Sequence, residues 1–316
     1  NEITRKAVEK LKAERTAEIV GGKFGIETSQ KNKNKMLLVD YINSLLNGSK
    51  KAENTKNNYK TLIYHIQSFS TNTRLCDVDK KWVLSYIDFL EGKKATSIKQ
   101  YCILLSAILA KAVKDKLISS NAFKELNKEQ KPTAKRAKRE YLTIEELDDI
   151  VAKFPQNTNL QKDCLKMFLF GCYTGLRFSD IEKITWEDIK KDASNGKYYF
   201  DIEMQKTKEI VKGYLSKKTL EVIGEPNGLK GNIFMPISPA SINKVIKKSA
   251  KLAGVDKNIC FHTSRHTFAV NLLAGGMDIY SVSRLLGHTD IKTTQIYLEM
   301  MPKKQIEAAD LIDKIF

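Results

Sequence analysis

Residues 160–173 read LQKDCLKMFLFGCY and are apolar on nearly every side of a helix. A helix of that kind has no face left for water, so other elements must surround it and the chain must build a layered helical core about it. It runs straight into Thr174, Gly175, Leu176 and Arg177, which sets a cation at the end of a rigid, buried rod. Charge held that firmly suits chemistry in which positioning is the main requirement. A second constraint is residues 128–139, KEQKPTAKRAKR, with six basic residues, one acidic residue, Pro132 and no apolar periodicity. We read it as a linker, and 316 residues leave room for a domain with its own core on each side.

Charge is divided unevenly by that linker. Residues 1–139 hold 29 basic and 14 acidic residues, whereas residues 140–316 hold 25 and 23. A first half this basic predicts a polyanionic partner, most simply nucleic acid, against the alternative of a solubilising surface. The five cysteines include no C-x-x-C pair and read as reduced thiols. No run approaches about 18 uninterrupted apolar residues, and no signal peptide opens the chain, so we expect a cytoplasmic protein with no membrane partner. The start at Asn1 suggests a piece of a longer protein.

Periodicity predicts a charged helix over residues 4–19, then four helices over 36–46, 55–70, 79–90 and 96–117. Thr55, Asp79 and Thr96 or Ser97 stand where N-caps belong. Past the linker, Thr143 followed three residues on by Glu146 forms a capping-box pattern. Residues 198–204 and 210–215 alternate as two strands, with Lys206, Thr207 and Lys208 in the turn between them. Helices follow over 217–223 and 238–253. The fold class predicted is mainly α with a small antiparallel β-sheet.

Three of the four histidines fall late, in FHTSRHTFA (residues 261–269) and LLGHTDIKTTQIYLE (residues 285–299). The first segment reads as a helix beginning near His262, on which residues three apart, His262 and Arg265, share a face. Imidazole and guanidinium together suit a phosphate oxygen, and a tyrosine beside them, Tyr297, has the chemistry of a nucleophile toward phosphorus. Other readings exist. His262 and His266 have a zinc-binding spacing, but Thr263 stands where a hydrolytic zinc helix carries Glu, and Arg265 would repel a cation; we therefore predict no metal. Taken singly, His288 is an ordinary loop residue and Tyr297 ordinary packing.

His262 and Arg265, then Leu286, Gly287 and His288, then Thr293, Thr294 and Tyr297 together resemble the tyrosine recombinase (phage-type integrase) family, including integrases of mobile and conjugative elements. Thr174 to Arg177 with Asp180 is similar to the family's upstream motif, and Lys206 lies where its hairpin lysine is expected, with Lys208 as the rival. The resemblance implies a two-domain DNA clamp. Its parts are a helix and linker from an arm-type DNA-binding module (1–30), a helical core-binding domain of SAM-like type (31–127), the basic linker (128–139) and a catalytic domain (140–316). It implies site-specific strand breakage and rejoining through a 3′-phosphotyrosyl bond on Tyr297, in the integration and excision of a mobile element. Arg177 and Arg265 would hold the phosphate, His288 would add a hydrogen bond, Lys206 would protonate the leaving oxygen and His262 would assist proton transfer at Tyr297. Asp180 would support Arg177 by an ion pair. Bond energy kept in phosphotyrosine removes any need for a cofactor.

Double-stranded DNA is the implied partner, with DNA-bending accessory proteins. Lys56, Asn57, Lys93, Lys94, Ser97 and Lys99 at helix starts, and Lys135 and Arg136 in the linker, are the candidate DNA contacts. Residues 304–316 form an apolar-faced helix that must be covered. It packs on its own domain or, as the resemblance implies, docks in trans to build a homotetramer. A type IB topoisomerase and a non-catalytic DNA-binding regulator are the alternative functions; the regulator has no use for two arginines, two histidines, a lysine and a tyrosine in this order.

Overall fold

The computed structural model describes residues 8–13, 16, 36–48, 52–135 and 138–300. The expected helix over residues 304–316, Arg136 and most of residues 1–30 lie outside them. The chain divides into two compact units at residues 136 and 137, inside the predicted linker.

In the first unit, α1 (Leu38–Asn47), α2 (Glu53–Phe69), α3 (Lys80–Phe89) and α4 (Ala95–Lys114) surround a core that includes Leu38, Ile42, Leu62, Ile66, Val83 and Leu105. Asp79 caps α3, accepting from Trp82 N at 2.7 Å. The other two expected caps are not used. Helix α2 starts two residues before Thr55, on Ala52, whose carbonyl accepts from Thr55 N at 2.9 Å and Lys56 N at 3.1 Å. Glu53 in that first turn complements the helix dipole. Helix α4 likewise starts from Lys94 rather than from Thr96 or Ser97. Helix α4 is long and apolar enough by composition to cross a membrane. Its Leu105, Ile108, Leu109 and Ala112 are at most 1% exposed inside this helical core.

In the second unit, α5 (Ile144–Lys153) opens with the capping box predicted for Thr143 and Glu146. Helix α6 (Asn159–Thr174) is the central helix expected from its all-round apolarity: Phe168 and Phe170 are fully buried, and a capping box of Thr158 and Gln161 starts it. After the short α7 (Phe178–Ile181), strands β1 (Ile189–Lys191), β2 (Tyr198–Glu203) and β3 (Ile210–Tyr214) form an antiparallel sheet in that order, with Phe200 opposite Gly213 and Ile202 opposite Val211. Strand β1, sequence IKK, has a single apolar residue and so no readable alternation. Helices α8 (Lys217–Ile223), α9 (Pro239–Leu252), α10 (Phe261–Ala274), α11 (Ile279–Leu285) and α12 (Lys292–Gln295) complete the unit, and α10 and α8 pack against α6.

Candidate active site

Helix α6 stops at Gly175, which adopts a left-handed φ of +69° and donates to Gly171 O at 3.0 Å. A Cβ at Gly175 would sit 2.3 Å from Phe268 Cδ1 on α10, so only glycine lets the turn approach that helix. The carbonyl of Gly175 then meets Arg265. This guanidinium is 2% exposed and donates to Gly175 O at 2.7 Å and to Leu286 O at 2.5 Å, with His288 Nε2 2.9 Å from its Nη2. Two backbone carbonyls and an imidazole therefore orient the cation, and among the described residues no carboxylate pairs with it directly; Asp180 acts on it only through its field. Burial, then the charge of Arg177, pulls its pKa down to about 10.

An arginine only donates, so His288 Nε2 must present its lone pair to Arg265. The ring proton then lies on Nδ1, which is 2.8 Å from Thr294 Oγ1. Thr294 is fully buried, and the second threonine of the T-T-x-x-Y run thus sets the histidine's tautomer. Burial first, and then Arg265 and Arg177, hold His288 neutral down to about pH 3.

Arg177, the first residue beyond that turn, is half-buried, and its Nη1 has no hydrogen-bond partner. The ion pair expected with Asp180 is not formed. Asp180, 2% exposed, accepts from Gln205 N at 2.8 Å through Oδ1, and its Oδ2 has no partner. The carboxylate therefore anchors the β2–β3 turn one residue before Lys206, and it reaches Arg177 only through its field. Thr207 Oγ1 lies 3.5 Å from Gly287 O, so the same turn borders the segment that carries His288. Within it, Lys206 is exposed and has no ion-pair partner among the described residues. Lys208, at φ +60°, bridges Glu203 at 3.1 Å.

Tyr297 does not stand on a continuous helix. It lies in the turn between α12 and a 3-10 turn at Leu298–Met300, 2% exposed, packed with Ala269, Val270, Leu273, Val282 and Leu286. Burial raises its phenol above the usual tyrosine range, against the charges of Arg265, Arg139 and Arg177. The imidazole at its hydroxyl belongs to His266, with Nδ1 at 3.3 Å. His262, to which the resemblance gave that contact, is exposed one turn earlier, its ring edge-on to His266 with centroids 4.6 Å apart. In the sequence His266 signalled only a metal spacing. The structure turns it to the tyrosine, and among the described residues no cluster of three His, Cys, Asp or Glu forms a metal set.

The chain just past the linker packs beside this pair. Tyr141 joins the cluster around Tyr297, Leu142 N donates to Thr267 Oγ1 at 3.0 Å, and Lys257 Nζ donates to Tyr141 O at 2.9 Å and pairs with Glu146 at 2.5 Å. Of the candidate DNA contacts, Asn57, Lys93, Lys94, Lys99 and Lys135 are exposed, while Lys56 and Ser97 are half-buried at the starts of α2 and α4. Lys56 is also held 3.6 Å from Glu53.

The second unit thus gathers a buried tyrosine, two arginines and three imidazoles, with a lysine on a neighbouring hairpin turn, on a helical frame with a three-stranded sheet. Residues 140–304 match the model of the phage integrase family, and residues 37–131 match the phage integrase SAM-like domain. The chain is 30% identical over 236 residues to tyrosine recombinase XerC of Thermodesulfovibrio yellowstonii, covering 70% of this chain and 77% of that one. The fold is similar to the integrase of transposon Tn1549 in complex with a circular intermediate DNA (TM-score 0.65, 17% identity, 83% of this chain and 95% of that one). It is also similar to lambda integrase, solved as a tetramer bound to a Holliday junction (TM-score 0.64, 19% identity, 82% of this chain and 75% of that one). The chain belongs to the tyrosine recombinase (phage integrase) family and is a site-specific recombinase.

Proposed function

We propose that this recombinase integrates and excises a mobile element, cutting each strand through a covalent 3′-phosphotyrosine on Tyr297. The supporting observation is the unbalanced charge of the site: Arg265 is oriented by carbonyls, and Arg177 Nη1 is buried without a partner. Two buried or half-buried guanidinium groups share a single carboxylate, Asp180, that pairs with neither directly, so the site keeps an excess of positive charge, and a phosphodiester would offset it. The two guanidinium groups take the non-bridging oxygens as charge gathers there. Lys206 protonates the departing 5′-oxygen, which leaves the phosphorus bonded to tyrosine. Religation runs the same steps backwards, so no external energy source is needed. His288 presents a lone pair in the DNA-free site, so it hydrogen-bonds the phosphate only after taking up a proton or exchanging tautomers.

Similarity to a transposon integrase supports the mobile-element reading, and similarity to a tetrameric integrase supports a homotetramer on paired sites, with residues 304–316 exchanged between subunits. Lys93, Lys94, Lys99 and Lys135 then hold phosphates. The test uses a pool of nicked duplexes with a randomised core, in which loss of the short 5′-hydroxyl fragment traps the adduct. The full chain gives an SDS-resistant adduct that persists in EDTA, and Tyr297→Phe binds the pool and gives none. An adduct from Tyr297→Phe would sink the assignment.

A further inference from the structure

We infer that His266 is a catalytic residue, the acceptor of the Tyr297 phenolic proton during strand cleavage and its donor during religation. This rests on the reading of Tyr297 as the nucleophile and moves to His266 the proton transfer that the resemblance gave to His262.

Geometry carries the assignment. His266 Nδ1 lies 3.3 Å from the hydroxyl, and the two ring centroids are 5.5 Å apart. The imidazole is itself 8% exposed, and its helix is pinned on either side of it, by the hydrogen bonds of Arg265 and by the Leu142 to Thr267 hydrogen bond. His262, one turn earlier and exposed, touches the pair only through the His266 ring.

Burial and the charges facing His266 set when it acts. Burial first, and then His262 from its own helix, Arg139 from the end of the linker and Arg265, hold it neutral down to about pH 3. A neutral imidazole keeps one nitrogen unprotonated, and Nδ1 is the one within reach of the phenol; without DNA it is a weak base that leaves the phenol protonated. A scissile phosphate entering beside Arg265 offsets the same cations and strengthens the base. As Tyr297 Oη bonds to phosphorus and the bond to the 5′-oxygen breaks, the phenolic proton passes to Nδ1, and the leaving oxygen takes its proton from Lys206. In religation the imidazolium returns the proton to the departing phenolate.

The same nicked pool tests this with His266→Gln, His266→Asn and His262→Gln in the full chain. Both His266 variants should retain DNA on filters yet form adduct about 10²–10⁴-fold more slowly at neutral pH. That deficit should shrink about tenfold per pH unit as solvent ionises the phenol. A 5′-bridging sulfur in the substrate, which needs no protonation to leave, should rescue Lys206→Ala but neither His266 variant. His266 variants that cleave at the wild-type rate, or whose loss is flat with pH and rescued by sulfur, overturn the inference and leave the nucleophile standing. If the wild type forms no adduct, the proposed function fails and takes this inference with it. Should both variants unfold, ¹⁵N spectra of the wild-type imidazole decide: a lone-pair Nδ1 supports the acceptor role, and a protonated Nδ1 at neutral pH overturns it.

Discussion

Lys93, Lys94, Lys99 and Lys135 of the first unit stand outside its core, whereas Arg265 and Asp180 at 2% exposure and His266 at 8% lie inside the second. Both units have a helical, apolar interior. Among the described residues of the first unit, His65 is the only buried His, Lys, Arg, Asp or Glu. Exposed lysines cost little to maintain and interact with phosphates over a screened, adjustable distance, so they suit binding. A buried guanidinium needs fixed partners for its donors, and the second unit supplies carbonyls from two chain turns. The same residue chemistry therefore serves affinity in one unit and geometry in the other.

The sharpest way to break that contrast is Arg265→Lys, which keeps the charge and loses the fork that joins Gly175 O, Leu286 O and His288. Adduct formation should fall about 10²–10³-fold with DNA retention unchanged. A parallel loss of binding would mean that the buried arginine supplies affinity as well. Next comes Gly175→Ala, where a Cβ would meet Phe268 Cδ1 at 2.3 Å at a φ of +69°. Thermal melting should report a loss of about 2–3 kcal/mol, because the clash cannot relax without moving α10; an unchanged midpoint would show that the turn has slack.

Acid should separate the units more gradually. His266 and His288 are both depressed to about 3, so between pH 6.5 and pH 3 the unfolded chain binds protons that the folded chain refuses. Stability is then complete above the unfolded pKa and lost as pH falls through that window, by at most about 1.4 kcal/mol per pH unit for each histidine. Replacing either by Gln should flatten the slope seen in denaturant titrations; an unaltered slope would place the acid sensitivity elsewhere. The smallest effects belong to the first unit. Lys93→Ala, Lys94→Ala and Lys99→Ala should each reduce the log–log salt dependence of binding by about 0.9 for each phosphate left without its lysine, and leave the rate of cleavage once bound unchanged. A lysine variant that slowed cleavage at saturating protein would break the division of labour.

The sequence by itself determined the longer helices, because apolar spacing and caps such as Asp79 and Thr143 act over a few residues, while α7, α11 and α12 were too short to show a period. It also determined the division at the basic linker and the order of the motif residues, since all of these are local patterns. Strand β1 escaped because three residues cannot show a period, and α2 began ahead of Thr55 because the backbone of Ala52 closed the turn without a side-chain cap. Which groups touch was decided only in three dimensions. Asp180 looked like the partner of Arg177 three residues away, yet it bonds Gln205 across the fold. His262 and His266 share a face on paper, and it is the packing of α10 against the Tyr297 turn that buries one of them at the hydroxyl and leaves the other in solvent. Helical spacing gives direction to within a turn, but a hydrogen bond is made or broken over less than an ångström, and only the surrounding elements set position that finely.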